Sequence, residues 1–302
     1  MVYDIIIVGS GPAGLTAAIY ARRADKNVLV IEKETFGGEI THSPKVENYP
    51  GFIEMSGTEF ADKLIEQASN LGAEIEMDNI LSAEKTDEGF KLAGEYGTYL
   101  GKSLIIASGS KHRKLGLENE DELVGNGISY CAVCDGPFFK GMDIAVIGGG
   151  NSALQEAVMM SEYCKSVTIV QDMPYLTGEP KLQEILKNRN NVRIMTEFLV
   201  KSLIGDKKLT AIMLENKQTN EQIELPVDGV FVAIGQVPDN KAFANLVDID
   251  ERGYIISGED TLTKTQGVFA AGDCRTKAIR QIVTATGDGA VASVAACKFI
   301  DK

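Results

Sequence analysis

Histidine is almost missing from this chain: His42 and His112 are the only two among 302 residues. Cysteine is scarce as well, five in all and an odd number, so the disulfide framework of a small secreted domain is excluded. Basic side chains fall short of acidic ones, 30 against 43, and the formal charge is −13. A phosphate backbone would meet net negative charge here, which argues against non-specific nucleic-acid binding. No apolar run approaches the ~18 residues of a membrane span. The chain runs straight into Tyr3-Asp4-Ile5-Ile6-Ile7-Val8, with no basic leader or cleavable apolar segment, so a cytoplasmic protein is expected. The remaining composition, 44% hydrophobic and 24% charged, is that of a globular enzyme and rules out disorder and collagen-like repeats. At roughly 150 residues per domain, the length suggests two domains, each with its own core.

Strand-like and helical stretches alternate from the start. Residues 3–8 read as a strand, 13–24 as a helix and 28–32 as a second strand, a βαβ unit that implies a parallel sheet covered by helices. The pattern returns with strands at 144–147 and 167–170 around a helix at 152–163. The repeat is too long for a solenoid and signals two related domains. Near the other end, Gly267 to Asp273 reads as a strand ending in Gly-Asp, followed by an alanine-rich helix at about 284–300. The expected architecture is therefore α/β, with two Rossmann-like, three-layer ββα dinucleotide-binding domains. The first is built from 1–112 and 239–302, and the second, 113–238, is inserted into it. Lys111-His112-Arg113-Lys114 and Gln236-Val237-Pro238-Asp239 are the candidate hinges.

Gly9-Ser10-Gly11-Pro12-Ala13-Gly14 is a G-x-G-x-x-G between a strand and a helix. Its glycines permit a tight turn, close approach of a pyrophosphate and close helix–strand packing, while the helix N-terminus favours the anion. Glu32 ends the next strand, where an acid can accept hydrogen bonds from ribose hydroxyls. This motif does not distinguish NAD from FAD. Asp273, at a strand end of the same expected domain, could hold a ribitol hydroxyl or pyrophosphate oxygen of the longer dinucleotide.

Cys131-Ala132-Val133-Cys134-Asp135-Gly136 contains a C-x-x-C with three readings: half a zinc site, a pair of buried thiols, or a redox dithiol. Zinc normally takes four ligands, and two histidines with no second C-x-x-C do not supply them. A helix starting at the motif would lower a thiol pKa and favour the attacking thiolate. Asp135 next door is either a proton carrier or a helix cap. Cys164, Cys274 and Cys297 are scattered and read as buried, inert thiols.

In order, Gly9 to Gly14, Gly37-Gly38-Glu39-Ile40, Val46 to Gly51, Ala107-Ser108-Gly109, Gly272-Asp273 and Arg280-Gln281 resemble the FAD-contacting segments of bacterial thioredoxin reductases. The similarity covers essentially the whole chain. It implies FAD held by Gly9, Gly11, Pro12, Ala13, Gly14, Glu32, Lys33, Gly37, Gly38, Glu39, Ile40, Asn48, Ala107, Ser108, Gly109, Gly272, Asp273, Arg280, Gln281 and Ile282. It also implies that Cys134 receives electrons from the flavin, Cys131 attacks the disulfide of thioredoxin, and Asp135 acts as acid/base. No metal is expected. A homodimer and a rotation between the domains during turnover are implied too.

Gly148-Gly149-Gly150 matches the family's NADPH pyrophosphate site, but the next strand departs from it. NADPH-dependent relatives carry a His-Arg-Arg run and a further Arg; here those positions are Gln171, Asp172, Met173 and Thr177. Arginines there grip the 2′-phosphate through charge-assisted bonds. Asp172 would repel it, and desolvating it without cations costs several kcal/mol. The sequence is most similar to the pyridine-nucleotide-independent subgroup, which takes electrons from ferredoxin. NADH is the alternative, with Asp172 on a ribose 2′-OH. A dithiol oxidase reducing oxygen and a flavin redox sensor without turnover are further alternatives. An acidic ferredoxin would need a local basic patch on so acidic a chain. Lys111 to Lys114 is the candidate, with Arg22, Arg23 and Lys45 as possible neighbours.

Overall fold

A computed structural model describes residues 1–43 and 46–302. Lys45, one candidate neighbour of the basic run, lies outside the described residues. The chain divides into two compact units, Met1–Lys111 with Val237–Lys302, and His112–Gln236.

The first unit begins with β1 (Val2–Val8), α1 (Pro12–Arg23) and β2 (Val28–Glu32), followed by α2 (Gly57–Asn70) and β3 (Glu74–Met77). β4 (Ile80–Thr86), β5 (Gly89–Gly94) and β6 (Thr98–Ile106) form an antiparallel meander. The sheet runs β3-β2-β1-β6-β5-β4, parallel from β3 to β6. Period-2 alternation along β1 sorts its side chains between two layers. Ile5 and Ile7 pack with α1, whereas Ile6 packs with Ala83, Phe90 and Leu92 of the meander.

The second unit repeats these three layers. β7 (Ile128–Ser129), α3 (Ala132–Asp135), β8 (Asp143–Ile147), α4 (Asn151–Met160), β9 (Ser166–Gln171), α5 (Pro180–Lys187) and β10 (Val192–Thr196) come first. β11 (Phe198–Gly205), β12 (Leu209–Asn216) and β13 (Gln222–Pro226) form a three-stranded antiparallel sheet, and β14 (Gly229–Val232) returns to the main one. The main sheet is parallel in the order β10-β9-β8-β14-β7. Ile144 and Val146 face α4, while Ala145 and Ile147 face the antiparallel sheet. Back in the first unit, β15 (Val268–Ala270) joins β6, and α6 (Ile282–Ile300) packs along α1. The α/β, doubly Rossmann-like expectation describes the fold.

Three element ends differ from the sequence reading. The helix expected to run to 163 stops at Met160, because the Asn191 amide captures the carbonyls of Ser161 and Cys164. The strand expected over 267–273 is only Val268–Ala270, since the chain turns at Gly272 with φ +78°. The final helix begins two residues early, at Ile282, where Gln281 and Thr284 form a capping box.

Candidate functional site

In the first unit, the sequence-predicted segments meet around the turn from β1 to α1. The Gly9 amide donates to the Ile31 carbonyl at 2.8 Å, and φ at Gly9 is +107°. A Cβ there would lie 2.2 Å from the Ala107 carbonyl oxygen, so only glycine closes this turn. A Cβ on Gly14 would lie 1.9 Å from the Gly9 carbonyl oxygen, as expected for a glycine that lets helix and strand touch. Gly11 is the N-cap of α1 and Pro12 its first residue, where a missing N–H costs nothing.

Three other segments touch this turn directly, through Gly37 and Gly38, Ala107 and Gly272. Gly37 donates to Ser10 Oγ at 3.1 Å, and a Cβ on Gly38 would lie 3.1 Å from Gly11 Cα. Glu39 and Ile40 follow in a 3-10 turn, Gly38–His42. Gly272 lies against Ala13. Ser108 Oγ donates to Asn240 Oδ1 at 2.9 Å, beside Ala107 and Gly109. Asn48 Nδ2 donates to Gln281 Oε1 at 3.0 Å, joining residues 233 positions apart. Gln281 caps α6 and Ile282 opens it. Lys33 Nζ pairs with Asp239 at 2.6 Å.

Two acids in this group are in opposite states. Glu32 is saturated: Oε2 accepts from Ser10 N and Oγ, and Oε1 accepts from the amides of Lys33 and Glu34. A carboxylate has about four acceptor sites, and its own chain fills them. Asp273 Oδ1 is buried without a partner. Burial pushes its carboxyl up, against the pull of Lys277, Arg280 and Arg275. Arg280 stacks over the Tyr254 ring at 4.1 Å and donates to the carbonyls of Asp273, Arg275 and Lys277. An orphaned buried acceptor is unusual. Together with the open backbone at Gly11 and the α1 N-terminus, it fits a polyhydroxylated dinucleotide.

In the second unit, Cys131 and Cys134 are joined by a disulfide, Cα to Cα 5.3 Å, rather than held apart as metal ligands. Cys131 is the N-cap of α3, and the Cys134 amide donates to Cys131 Sγ at 3.2 Å. Both residues are partly exposed. Asp135 Oδ2 accepts from Ser129 Oγ at 2.6 Å, whereas Oδ1 is buried without a partner. Burial pushes this carboxyl up, and the Ser129 bond only partly opposes the shift. Of the remaining thiols, Cys164 and Cys274 are buried and pushed up to about 11 by desolvation. Cys297 is only half-buried, short of the burial expected for it.

The second glycine turn copies the first. Gly148 N donates to Val170 O at 2.8 Å, and a Cβ on Gly148 would lie 2.5 Å from Ala233 O. The Gln171 side chain is buried against Gly149, and Thr177 N donates to Gly149 O at 2.8 Å. None of Gln171, Asp172, Met173 and Thr177 is cationic. The fold adds a neighbour that strand order conceals: Lys217 Nζ lies 3.4 Å from Asp172.

The basic run is weaker than its sequence suggests. Lys111 pairs with Glu34, and Lys114 pairs with Asp121 at 2.6 Å. His112 stacks on Tyr130 and is held neutral, burial pushing it down to about 4. Arg22 is committed to the carbonyls of Leu71 and Lys26.

Residues 3–289 match the family model described as pyridine nucleotide-disulphide oxidoreductase. The chain is 43% identical over 302 residues to a thioredoxin reductase of Listeria innocua, covering 100% of this chain and 95% of that one. It is 42% identical to a 34.2 kDa protein in a rubredoxin operon of Clostridium pasteurianum, covering 98% and 97%. The crystal structure of thioredoxin reductase from Streptococcus pyogenes superposes with a TM-score of 0.95 at 36% identity, covering 99% and 98%.

Proposed function

The chain belongs to the pyridine nucleotide-disulphide oxidoreductase family, as an FAD-dependent disulfide reductase of the thioredoxin reductase type, and from that premise we propose that it reduces thioredoxin with electrons from ferredoxin or a similar one-electron carrier. The observation that carries the reading is the Cys131–Cys134 disulfide at the start of α3, beside a buried acid.

On this reading the first unit is the FAD-binding domain. Gly9, Gly11, Pro12, Ala13 and Gly14 take the pyrophosphate with the α1 N-terminus. Glu32 and Lys33 flank the adenosine ribose. Gly37 to Ile40, Asn48, Ala107 to Gly109, Gly272, Asp273 and Arg280 to Ile282 complete the site, with Asp273 Oδ1 awaiting a hydroxyl donor. The flavin, when bound, supplies the two electrons that open the Cys131–Cys134 disulfide.

The second unit then carries the thiol chemistry. The Cys134 N–H that donates to Cys131 Sγ favours the Cys131 thiolate. That thiolate attacks one sulfur of the thioredoxin disulfide, forming a mixed disulfide and expelling the other sulfur as a thiolate. Asp135, held protonated to higher pH by burial, supplies a proton. Cys134 attacks Cys131 Sγ, releases the second thioredoxin thiol and closes the disulfide again. Two electrons and two protons reach thioredoxin.

The donor assignment rests on the strand from Gln171 to Thr177. Asp172 repels a 2′-phosphate, and the nearby Lys217 is already paired to Asp172. NADH is the second reading, because Asp172 directly follows β9, where a ribose-binding acid would lie. With Lys111 and Lys114 paired to carboxylates and His112 neutral, the basic run keeps only the exposed Arg113 for long-range steering on a chain of formal charge −13. Ferredoxin docking would therefore rest on short-range contacts, and salt would accelerate it by screening the like charges.

A cytoplasmic location suits a dithiol that must be kept reduced. Tyr20, Leu262, Val291 and Val294 line an apolar groove of the first unit at 48, 51, 42 and 44% exposure, which supports the homodimer. The deciding experiment mixes the oxidised enzyme anaerobically with NADPH, NADH or reduced ferredoxin and follows flavin absorbance. Ferredoxin should bleach it fastest. Rapid bleaching by NADPH would overturn the donor assignment, and bleaching by NADH alone would install the second reading.

A further inference from the structure

Asp288 lies inside α6, and its side chain is only 7% exposed. Four donors from the segment 272–277 converge on its carboxylate. They are the Gly272 amide at 2.9 Å, Arg275 Nε and Nη2 at 2.8 Å each, and Lys277 Nζ at 2.8 Å. The side chains of Arg275 and Lys277 are 1% and 4% exposed. Glu259 approaches Arg275 at 3.4 Å, but it is 91% exposed and its charge is largely screened.

Asp288 alone does not balance Arg275 and Lys277, and the second carboxylate in their field is Asp273. Burying an unbalanced charge is expensive unless something completes it. The next group along the same turn is Asp273, whose Oδ1 is buried without a partner. The turn itself has φ +78° at Gly272, and the Asp288 bond to the Gly272 amide pins it there. Gly272 in turn lies against Ala13, inside the first glycine motif.

We propose that Asp288 is a positioning residue of the FAD site: by tying Gly272, Arg275 and Lys277 to α6, it fixes the Gly272–Asp273 turn and sets the charge balance of the cluster behind that turn. This rests on the reading that Gly272 and Asp273 hold FAD. Charge near a flavin tunes its electronics. Reduction adds negative charge to the flavin, so extra positive charge favours the reduced form and raises the midpoint potential. Asp288→Asn removes an anion and should raise the potential. Lys277→Met removes a cation and should lower it.

The test compares wild-type, Asp288→Asn, Lys277→Met and Asp273→Asn holoenzymes. FAD retention on dilution is read from free-flavin fluorescence, and the flavin potential from spectroelectrochemistry. Asp288→Asn should release FAD at least tenfold more readily, and the two charge variants should shift the potential in opposite directions. Wild-type retention and potential in both charge variants, with only lowered melting temperatures, would make the cluster structural and overturn the proposal. If Asp288→Asn does not fold, the sign of the Lys277→Met shift decides. Asp273→Asn with wild-type FAD retention would instead remove the premise that this turn holds the cofactor, whatever Asp288→Asn does.

Discussion

Grafting arginine at Asp172 and Thr177 should create NADPH dependence, and the size of the gain follows from the positions involved. Thr177 N and Oγ1 both donate to the Gly149 carbonyl, at 2.8 and 3.3 Å, which sets this residue against the second glycine cluster. Asp172 follows the last residue of β9, within reach of Lys217 at 3.4 Å. A hydrogen bond to a charged group contributes about 1.5–3 kcal/mol, so two arginine contacts to a 2′-phosphate offer about 3–6 kcal/mol. Asp172 and Lys217 are 49% and 43% exposed, so solvent screening places the effect at the lower end. A gain of roughly 3 kcal/mol corresponds to about a hundredfold in kcat/KM for NADPH. Removing Asp172 also frees Lys217, which adds a third cation. The assay is anaerobic stopped-flow bleaching of the flavin by NADPH. An Asp172→Arg, Thr177→Arg enzyme no faster than wild type would refute the idea that charge at this strand selects the donor. Wild-type bleaching at the speed of an NADPH-dependent relative would refute it more directly.

Other outcomes test the thiol machinery and the fold. Cys134→Ser should keep FAD and accumulate a mixed disulfide between Cys131 and thioredoxin, visible as a mass adduct; an adduct formed by Cys131→Ser instead would reverse the two roles. Asp135→Asn should slow thioredoxin reduction by about 10²- to 10⁴-fold, the usual worth of a positioned general acid. Because burial raises the Asp135 pKa and the protonated form is the active one, wild-type rate should fall as pH rises through that pKa. Asp135→Asn should lose this limb, and an unchanged pH profile would exclude Asp135 as the acid. Glu156, on α4, is pushed up from 4.5 to about 7 by burial, so the folded state holds its proton where the unfolded state releases it. Stability should decline between about pH 4.5 and 7 by up to about 3 kcal/mol and level off above. Melting curves of Glu156→Gln should lack that decline, and an identical pH dependence in both proteins would assign it to another group.

What could be read in the chain was local, and what could not was tertiary. The alternation Ile5-Ile6-Ile7 shows a strand buried on both faces, and Gly9 to Gly14 shows how it turns, because both are consequences of chain geometry within a few residues. Four of the six expected segments meet at Gly9, Ser10, Gly11 and Ala13, whereas Asn48 and Arg280-Gln281 connect through one another and Asp273. The basic run at 111–114 depends on tertiary neighbours instead. Lys111 and Lys114 are paired with Glu34 and Asp121 and His112 is neutral through burial, while Arg113 stays exposed, and a run of letters displays none of this. Likewise Lys217, 45 residues from Asp172, enters the donor strand only through the neighbouring sheet.

Asp288 carries a signal of its own in the sequence. Gly287-Asp288-Gly289 interrupts an alanine-rich helix with its one carboxylate between two poor helix formers. Gly289 has a packing reason, since a Cβ there would lie 2.1 Å from the Ala13 carbonyl oxygen. Such close approach buries the neighbouring turn of α6 against the cofactor motif. A carboxylate there must either be neutralised or satisfied, and this one is met by Arg275 and Lys277. A lone acid beside a packing glycine therefore implies buried cations nearby, and of the upstream candidates Arg280 is taken by Tyr254 and backbone carbonyls, leaving Lys277 and Arg275 to meet it.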